Sequence, residues 1–388
     1  MTNTHAAAGV DAVDLARRLI RCRSVTPADD GALGVLEETL GALGFRCERV
    51  TFSDTDTPDV ENLYAVWGEA GPNICFAGHT DVVPPGDAAD WSVDPFGGEI
   101  VGEDLIGRGA VDMKGAIAAF VAAVARVVPG RDPRRGRVSL LITGDEEGPS
   151  INGTRKLLGW LAECGERMDG CIVGEPTSGA VLADTVKIGR RGSLNAVLTA
   201  HGTQGHTAYP QHAGNPVHDL IHTLAGLIGT PLDHGTAHFE PSTLQVTSVD
   251  VGNPATNVIP ARAQARLNVR FNDRHKDPDI RQWLSDRVTE AGGDISLDVR
   301  VSGQSFLSPP GQLVDALTEA VAATLGWTPA LGTGGGTSDA RFIKDHCPVA
   351  ELGLKNATAH KVDERVPLAD LRDLSEVYRV ALNSLLEP

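Results

Sequence analysis

Five short stretches of the sequence each end an apolar run with side chains that can bind a metal ion or move a proton. They are NICFAGHTDVVPPGD with His79 and Asp81, LIGRGAVDMKGA with Asp112, VSLLITGDEEGPS with Glu146 and Glu147, CIVGEPT with Glu175, and LKNATAHKVDE with His360. In open α/β sheets ligands bind at the edge where the carboxyl ends of the strands meet. The five stretches therefore predict a single site at that edge.

Each stretch also has an ordinary explanation when it is taken alone. A histidine at a strand end is more often structural than ligating, and Asp112 in front of a helix has the position of an N-cap. Glu175, which precedes a proline, fits a solvated turn acid. Residues i and i+2 of an extended chain point the same way, so the Asp81 carboxylate is expected to orient the imidazole of His79.

The set as a whole favours metal chemistry. Two histidines and three carboxylates, with one carboxylate shared, match a pair of close divalent ions that keep open positions for water and substrate. The carboxylates nearly balance two divalent cations, so the buried cluster carries little unpaired charge. Imidazole and carboxylate without thiolate suit zinc, cobalt or manganese better than calcium.

The pattern of predicted strands and helices that position these residues changes along the chain. The first half alternates β-like runs with helical runs, which predicts a mixed, mostly parallel α/β sheet with flanking helices. Amphipathic strands and two helical stretches follow from about Gly192, and the first pattern resumes after about Ser305. We therefore expect a discontinuous domain of residues 1–191 and 305–388 and an inserted α+β domain of residues 192–304.

The composition limits the classes of binding partner and the cellular compartment that are expected. The 388 residues carry a net charge of −17, which disfavours binding to nucleic acid or anionic membranes. The six cysteines are scattered, which argues against a disulfide framework and favours a reducing compartment. The N-terminal residues lack the pattern of a secretory signal, and no apolar run is long enough to span a membrane. A cytoplasmic protein is expected.

The stretches GHTDVVPPGD, GRGAVDMKG, TGDEEG, GEPT and HKVDE resemble, in this order, the motifs of the dinuclear-zinc M20 metallopeptidases and deacylases. The resemblance implies that His79, Asp112 and Glu175 hold one zinc ion and that Asp112, Glu147 and His360 hold the other. It also implies a general base, Glu146, a cis peptide bond after Asp112, and an inserted domain of ferredoxin-like fold. Asp145 matches no family role and is interpreted as an acceptor for backbone amides of the turn.

The same resemblance extends to KIGRRGS, GTQGHTAYP, NVIPA, LNVRF and TGGGTSDARFI. It implies a homodimer in which the inserted domain forms the interface and His206 stabilises the oxyanion in the partner's active site. The resemblance also implies that an anionic small-molecule substrate is bound by a set of polar side chains, namely Arg190, Asn257, Arg270, Thr337, Ser338, Arg341 and Asn356. Thr256 stands where some relatives have asparagine, and Arg191 beside Arg190 is left without a role.

These motifs are most similar to members that hydrolyse N-succinyl-LL-2,6-diaminopimelate, a step towards lysine. Guanidinium groups bind carboxylates in bidentate fashion, which suits a substrate with several carboxylates. Three alternatives stay open: deacylation of another N-acyl amino acid such as acetylornithine, a single-metal aminopeptidase, and a non-catalytic amino-acid or peptide-binding homologue. The complete ligand set and the intact Glu146 argue against the last of these.

Overall fold

The computed structural model describes residues 9–308 and 310–387, which form two compact units. The larger unit takes the described residues of 1–188, 308–332 and 338–388, and the smaller takes 189–307 and 333–337. The boundaries after residues 188 and 307 lie close to those expected after 191 and 304. The sequence does not predict that 333–337 join the smaller unit.

The helices of the described chain begin and end close to the expected positions. In chain order they are α1 Ala12–Arg21, α2 Ala32–Ala42, α3 Lys114–Val127, α4 Thr154–Glu163, α5 Pro216–Gly229, α6 Asp277–Ala291, α7 Gln312–Leu325, α8 Ala340–Ile343 and α9 Leu368–Leu385. In this part of the chain, no helix is both long and apolar enough to pass through a membrane.

The strands are more numerous than the periodic runs of the sequence predict. They are β1 Arg46–Asp54, β2 Thr57–Trp67, β3 Asn73–His79, β4 Glu99–Val101, β5 Asp104–Ile106, β6 Arg137–Thr143, β7 Gly170–Val173, β8 Thr185–Lys187, β9 Gly189–Arg190, β10 Gly192–His201, β11 Gly205–His206, β12 Thr243–Asp250, β13 Val258–Ile259, β14 Arg262–Phe271, β15 Asp294–Gly303, β16 Phe306–Leu307, β17 Ala330–Gly332, β18 Val349–Glu351 and β19 Arg365–Pro367.

A mixed sheet forms the centre of the larger unit, in the order β1-β2-β6-β3-β7-β18-β8-β17. Its middle strands β6, β3, β7 and β18 are parallel. Every residue of β3 is buried, as expected for a strand covered on both faces. This arrangement confirms the predicted α/β class.

Helix α3 forms much of the core beside this sheet, because its alanine-rich sequence lets neighbouring elements approach closely. It packs against α1 and α9. The Phe120 ring of α3 stacks on Phe76 of β3 at 4.3 Å between centroids, and Tyr378 of α9 meets Phe76 edge-on at 5.8 Å. These aromatic contacts fix the helix whose preceding turn carries Asp112.

The smaller unit has the order β10-α5-β12-β14-α6-β15 along the chain and an antiparallel sheet in the order β12-β14-β10-β15. This is the βαββαβ ferredoxin-like pattern, and it confirms the expected fold of the insertion. Side chains of one sheet face, among them Leu194, Leu198 and Leu267, pack with Leu220 and Leu284 from the two helices. Strand β15 alternates polar and apolar residues but was absent from the sequence-based expectation.

Candidate metal centre

The parallel strands bring the predicted ligands to one edge of the larger unit. His79, the last residue of β3, is in register with Thr143, the last residue of β6. The acidic turn Asp145–Glu147 begins two residues beyond β6, and Glu175 lies two residues beyond β7. Because these strands run in the same direction, their carboxyl ends deliver all of these side chains to the same place.

Asp112 lies between the two predicted imidazoles. Its Oδ1 is 3.2 Å from Nε2 of His79, and its Oδ2 is 3.2 Å from Nε2 of His360. The remaining contacts are 3.7 Å from His79 Nε2 to Glu175 Oε1 and 2.7 Å from His360 Nε2 to Glu147 Oε1. Zinc bonds of about 2.0–2.2 Å in a tetrahedral site place neighbouring donors roughly 3.3 Å apart. The donor set therefore fits a metal pair that shares Asp112.

Glu146 also lies within reach of this cluster. The donor atoms of His79, Glu146 and Glu175 lie within 4.8 Å of one another, as do those of His79, Asp112 and Glu147. The structure thus brings together all five predicted ligands and the predicted base. The peptide bond between Asp112 and Met113 is cis, which confirms the expectation from the family resemblance.

The buried Asp81 contacts the cluster differently from the expectation. The closest acceptor to His79 Nδ1 is the backbone carbonyl oxygen of Asp81 at 2.8 Å, whereas a carboxylate oxygen lies at 3.7 Å. The carboxylate instead accepts hydrogen bonds from the backbone N–H groups of Glu146 and Glu147, at 3.2 and 3.0 Å. Asp81 therefore orients the imidazole mainly through its carbonyl group and the acidic turn through its side chain.

Asp145 accepts hydrogen bonds from backbone amides of the turn, as predicted from the sequence. Its carboxylate is buried and accepts hydrogen bonds from the backbone N–H groups of Ser150 (3.2 Å), Ile151 (2.8 Å) and Asn152 (2.9 Å). The three consecutive acids therefore have different surroundings. Asp145 holds the turn, while Glu146 and Glu147 face the donor cluster.

The electrostatics of the cluster favour a bound cation. Burial and the carboxylates of Glu175 and Asp339 hold the pKa of Glu146 well above its ordinary value. Hydrogen bonds with Asp112 and Glu147 raise the pKa of His360 to about 10. Since ligating histidine must be neutral, a metal ion competes with protons here, and metal affinity is expected to rise with pH.

Three predicted substrate-binding residues belong to the larger unit. Ser338 is buried, and its hydroxyl group donates to the Glu351 carboxylate at 2.7 Å. The Arg341 guanidinium lies 4.6 Å from the centroid of the Phe342 ring. Asn356 begins a short helical turn in the loop that leads to His360, where its side chain is exposed.

The other predicted residues belong to the smaller unit, and four of them lie in two pairs there. His206 pairs with Val258 between β11 and β13, so that it neighbours Asn257. Arg190 is buried, and its Nη1 donates to the Gly336 carbonyl oxygen at 2.9 Å, next to Thr337.

Arg270 of β14 lies near a second guanidinium in the same unit. Its Nε donates to Oδ1 of Asn268 at 3.1 Å. Burial and the neighbouring Arg191 lower the pKa of Arg270. Two neighbouring cations favour an anion, and this electrostatic interaction places Arg191, which the sequence leaves without a role, near a predicted substrate-binding residue.

A cavity of about 510 Å³ lies elsewhere in the larger unit. Ile74, Gly170 and Val349, near the amino ends of the parallel strands, are among its lining residues. The described residues that line it include none of the candidate ligands. The size of a cavity alone therefore does not identify the chemical site in this protein.

Comparisons with known proteins agree with this geometry. Residues 75–384 match the model of peptidase family M20/M25/M40. The chain is 58% identical over 372 residues to a protein of Rhodospirillum centenum named succinyl-diaminopimelate desuccinylase, covering 96% of both chains. A protein of the same name from Rhodospirillum rubrum is 56% identical over 390 residues, covering 97% of this chain and 99% of the relative.

Solved structures share the fold at low sequence identity. An M20 metallo-carboxypeptidase from Sulfolobus solfataricus superposes with a TM-score of 0.76 at 18% identity, covering 97% of this chain and 99% of that one. A Bacillus subtilis protein described as a dinuclear metal-binding M20 peptidase gives a TM-score of 0.70 at 16% identity, covering 96% and 97%. The family model spans most of the sequence, and the chain therefore belongs to peptidase family M20/M25/M40.

Proposed function

We propose that this protein hydrolyses the amide bond of N-succinyl-LL-2,6-diaminopimelate to succinate and LL-2,6-diaminopimelate, a step of diaminopimelate and lysine biosynthesis. The observation that carries the proposal is the position of Asp112, whose two oxygens face two different imidazoles at the ligand-binding edge of the sheet. The names of relatives with 51–58% identity support the choice of substrate.

Two divalent ions fit the donor set. His79, Asp112 and Glu175 would hold one ion, and Asp112, Glu147 and His360 the other. Zinc suits these ligands best, with cobalt or manganese as alternatives. When bound, such ions polarise the scissile carbonyl group and make water acidic enough to attack near neutral pH.

Glu146 is proposed as the general base. It takes a proton from the attacking water and returns it to the leaving amine. Its position supports this role, because its carboxylate oxygen lies within 4.8 Å of the donor atoms of His79 and Glu175, where it can accept a proton from the attacking water. The backbone hydrogen bond from Glu146 to the Asp81 carboxylate fixes its place in the turn.

The substrate is proposed to bind through arginine side chains. Arg190, Arg270 and Arg341 would hold its carboxylates, with Thr337, Ser338, Asn257 and Asn356 as polar partners. The neighbouring positive charges of Arg191 and Arg270 support an anionic substrate, since like charges at a partly buried position are costly until an anion is bound.

A homodimer is proposed, with His206 of one copy stabilising the oxyanion in the active site of the other. The smaller unit supports it with exposed apolar side chains on α5 and on the edge strand β12, namely Ile221, Ile228 and Val249. Ile221 and Ile228 are seven residues apart and so lie on the same face of α5, where neighbouring exposed apolar side chains suit an interface. We also propose a cytoplasmic location, which the six free cysteines support.

The test is a comparison of steady-state hydrolysis of N-succinyl-LL-2,6-diaminopimelate and N-acetylornithine by the metal-loaded protein. The proposal predicts a higher kcat/KM for the succinyl substrate. A preference for the acetyl substrate would assign the protein to another deacylase class. Hydrolysis of neither substrate by a protein with full metal content would favour a binding function.

A further inference from the structure

Glu364, in the HKVDE stretch, is fully buried and accepts hydrogen bonds with both carboxylate oxygens. Oε2 accepts from Nη1 of Arg108 at 2.7 Å and from the backbone N–H of Gly109 at 3.1 Å. Oε1 accepts from the backbone N–H groups of Val111 at 2.8 Å and Asp112 at 3.1 Å. One carboxylate thus shapes the whole turn that presents the shared ligand.

Arg108 extends the same network to other ligand-bearing segments. Its Nη1 also donates to the carbonyl oxygen of Lys361 at 3.2 Å, next to His360. Its Nη2 lies 3.4 Å from the carbonyl oxygen of Pro84, in the loop that follows His79 and Asp81. The Arg108 side chain is itself buried. The ion pair therefore joins the segments that carry His79, Asp112 and His360.

We propose that Glu364 and Arg108 are positioning residues for the metal pair, and this inference rests on the proposed function. They act through the backbone: Glu364 fixes the amide of Asp112 and hence the direction of its carboxylate, while Arg108 fixes the loop of His360. Outer groups of this kind orient metal ligands, and their loss commonly weakens metal binding 10–100-fold.

An ordinary buried ion pair would stabilise the fold without favouring any particular segment. The distribution of contacts here differs, because three of the four hydrogen bonds to Glu364 come from backbone groups of residues 109–112. Both sites share Asp112, but Arg108 bonds the residue next to His360, whereas it reaches the chain only five residues beyond His79. The site with Asp112, Glu147 and His360 therefore depends more directly on Glu364 and Arg108. It should therefore suffer more than the site with His79 and Glu175.

Glu364→Gln tests the proposal with little change of shape. An amide group retains only one acceptor oxygen, so either Asp112 and Val111 or Gly109 and Arg108 lose their partner. Since a buried arginine without its partner can prevent folding, the double variant Arg108→Met/Glu364→Gln removes both charges and keeps one acceptor oxygen for the turn amides. Glu166→Gln is the matched control, because Glu166 pairs with Arg137 at 2.5 Å in a half-buried position away from the donor cluster.

The measurement is a calorimetric titration of each metal-free protein with Co²⁺, together with the visible absorption bands of the loaded protein. We expect the dissociation constant of the more weakened site to rise 10–100-fold in Glu364→Gln, or in the double variant if the single one does not fold. The bands should shift, and the Glu166→Gln control should stay within about twofold of wild type. Wild-type constants and bands in a folded Glu364 variant would overturn the inference and leave the proposed function intact. Failure of the wild-type protein to bind metal would overturn both.

Discussion

Replacing Asp145 with alanine removes the acceptor for three backbone amides of the acidic turn. The amide of Asn152 is buried, and leaving it without a partner costs about 1–3 kcal/mol. The amides of Ser150 and Ile151 are half-buried and can turn to water, so each adds about 0.5 kcal/mol. The free energy of unfolding should therefore fall by roughly 2–4 kcal/mol.

The assay is urea denaturation of the metal-free protein, which separates fold stability from metal binding. Asp132→Ala serves as a control, because Asp132 also accepts a hydrogen bond from a turn amide, that of Arg134, but at an exposed position. Its denaturation curve should overlay that of wild type, because substitutions at exposed positions change stability little.

Glu146→Gln should show the opposite pattern. Its denaturation curve and metal content should match wild type, while kcat falls about 10²–10⁴-fold with the loss of the base.

Wild-type stability of Asp145→Ala would refute the role of Asp145 as the acceptor of the turn amides. Near-normal turnover of Glu146→Gln would refute its assignment as the base.

Three further results are expected. Mixed dimers of Glu146→Gln and His206→Ala chains should recover up to half of the wild-type turnover, because one of their sites would be complete, and inactivity of such dimers would contradict a role of His206 in the partner's site. Burial opposes ionisation of Asp233, but hydrogen bonds with Ser242 and backbone groups lower its pKa to about 2. Its folded pKa lies below the ordinary value of 3.8, so the stability it contributes above pH 4, about 2 kcal/mol, is lost as the pH falls towards 2. The difference in unfolding free energy between wild type and Asp233→Asn should shrink by that amount over this range, and a constant difference would contradict the mechanism. Arg270→Lys should raise KM for the succinyl substrate about tenfold with little change in kcat, because lysine cannot bind a carboxylate in bidentate fashion, and an unchanged KM would exclude this contact.

Much of the site could be predicted because its residues follow buried strands. Continuous apolar runs reveal β3 and β6, and the rule that parallel strands end at one edge brings His79 and Glu147 together. The partners of Asp81 could not be predicted in the same way. Its carboxylate binds amides 65 and 66 residues further along the chain, and such pairing depends on the tertiary fold.

Short elements were also beyond prediction. Strands β4, β5 and β19 have three residues each. This is too few for an alternation of apolar and polar residues to be recognised in the sequence. The role of Glu364 was missed for a related reason. The HKVDE stretch suggests its importance, but the amides that it binds lie more than 250 residues away in sequence.

The most direct test of the proposed function is a metal titration of the metal-free protein, in which bound metal and hydrolysis of N-succinyl-LL-2,6-diaminopimelate are followed together. We expect two ions to bind per chain and turnover to appear with them, at a higher kcat/KM than for N-acetylornithine. Full turnover of the succinyl substrate by the metal-free protein, or a preference of the loaded protein for N-acetylornithine, would contradict it.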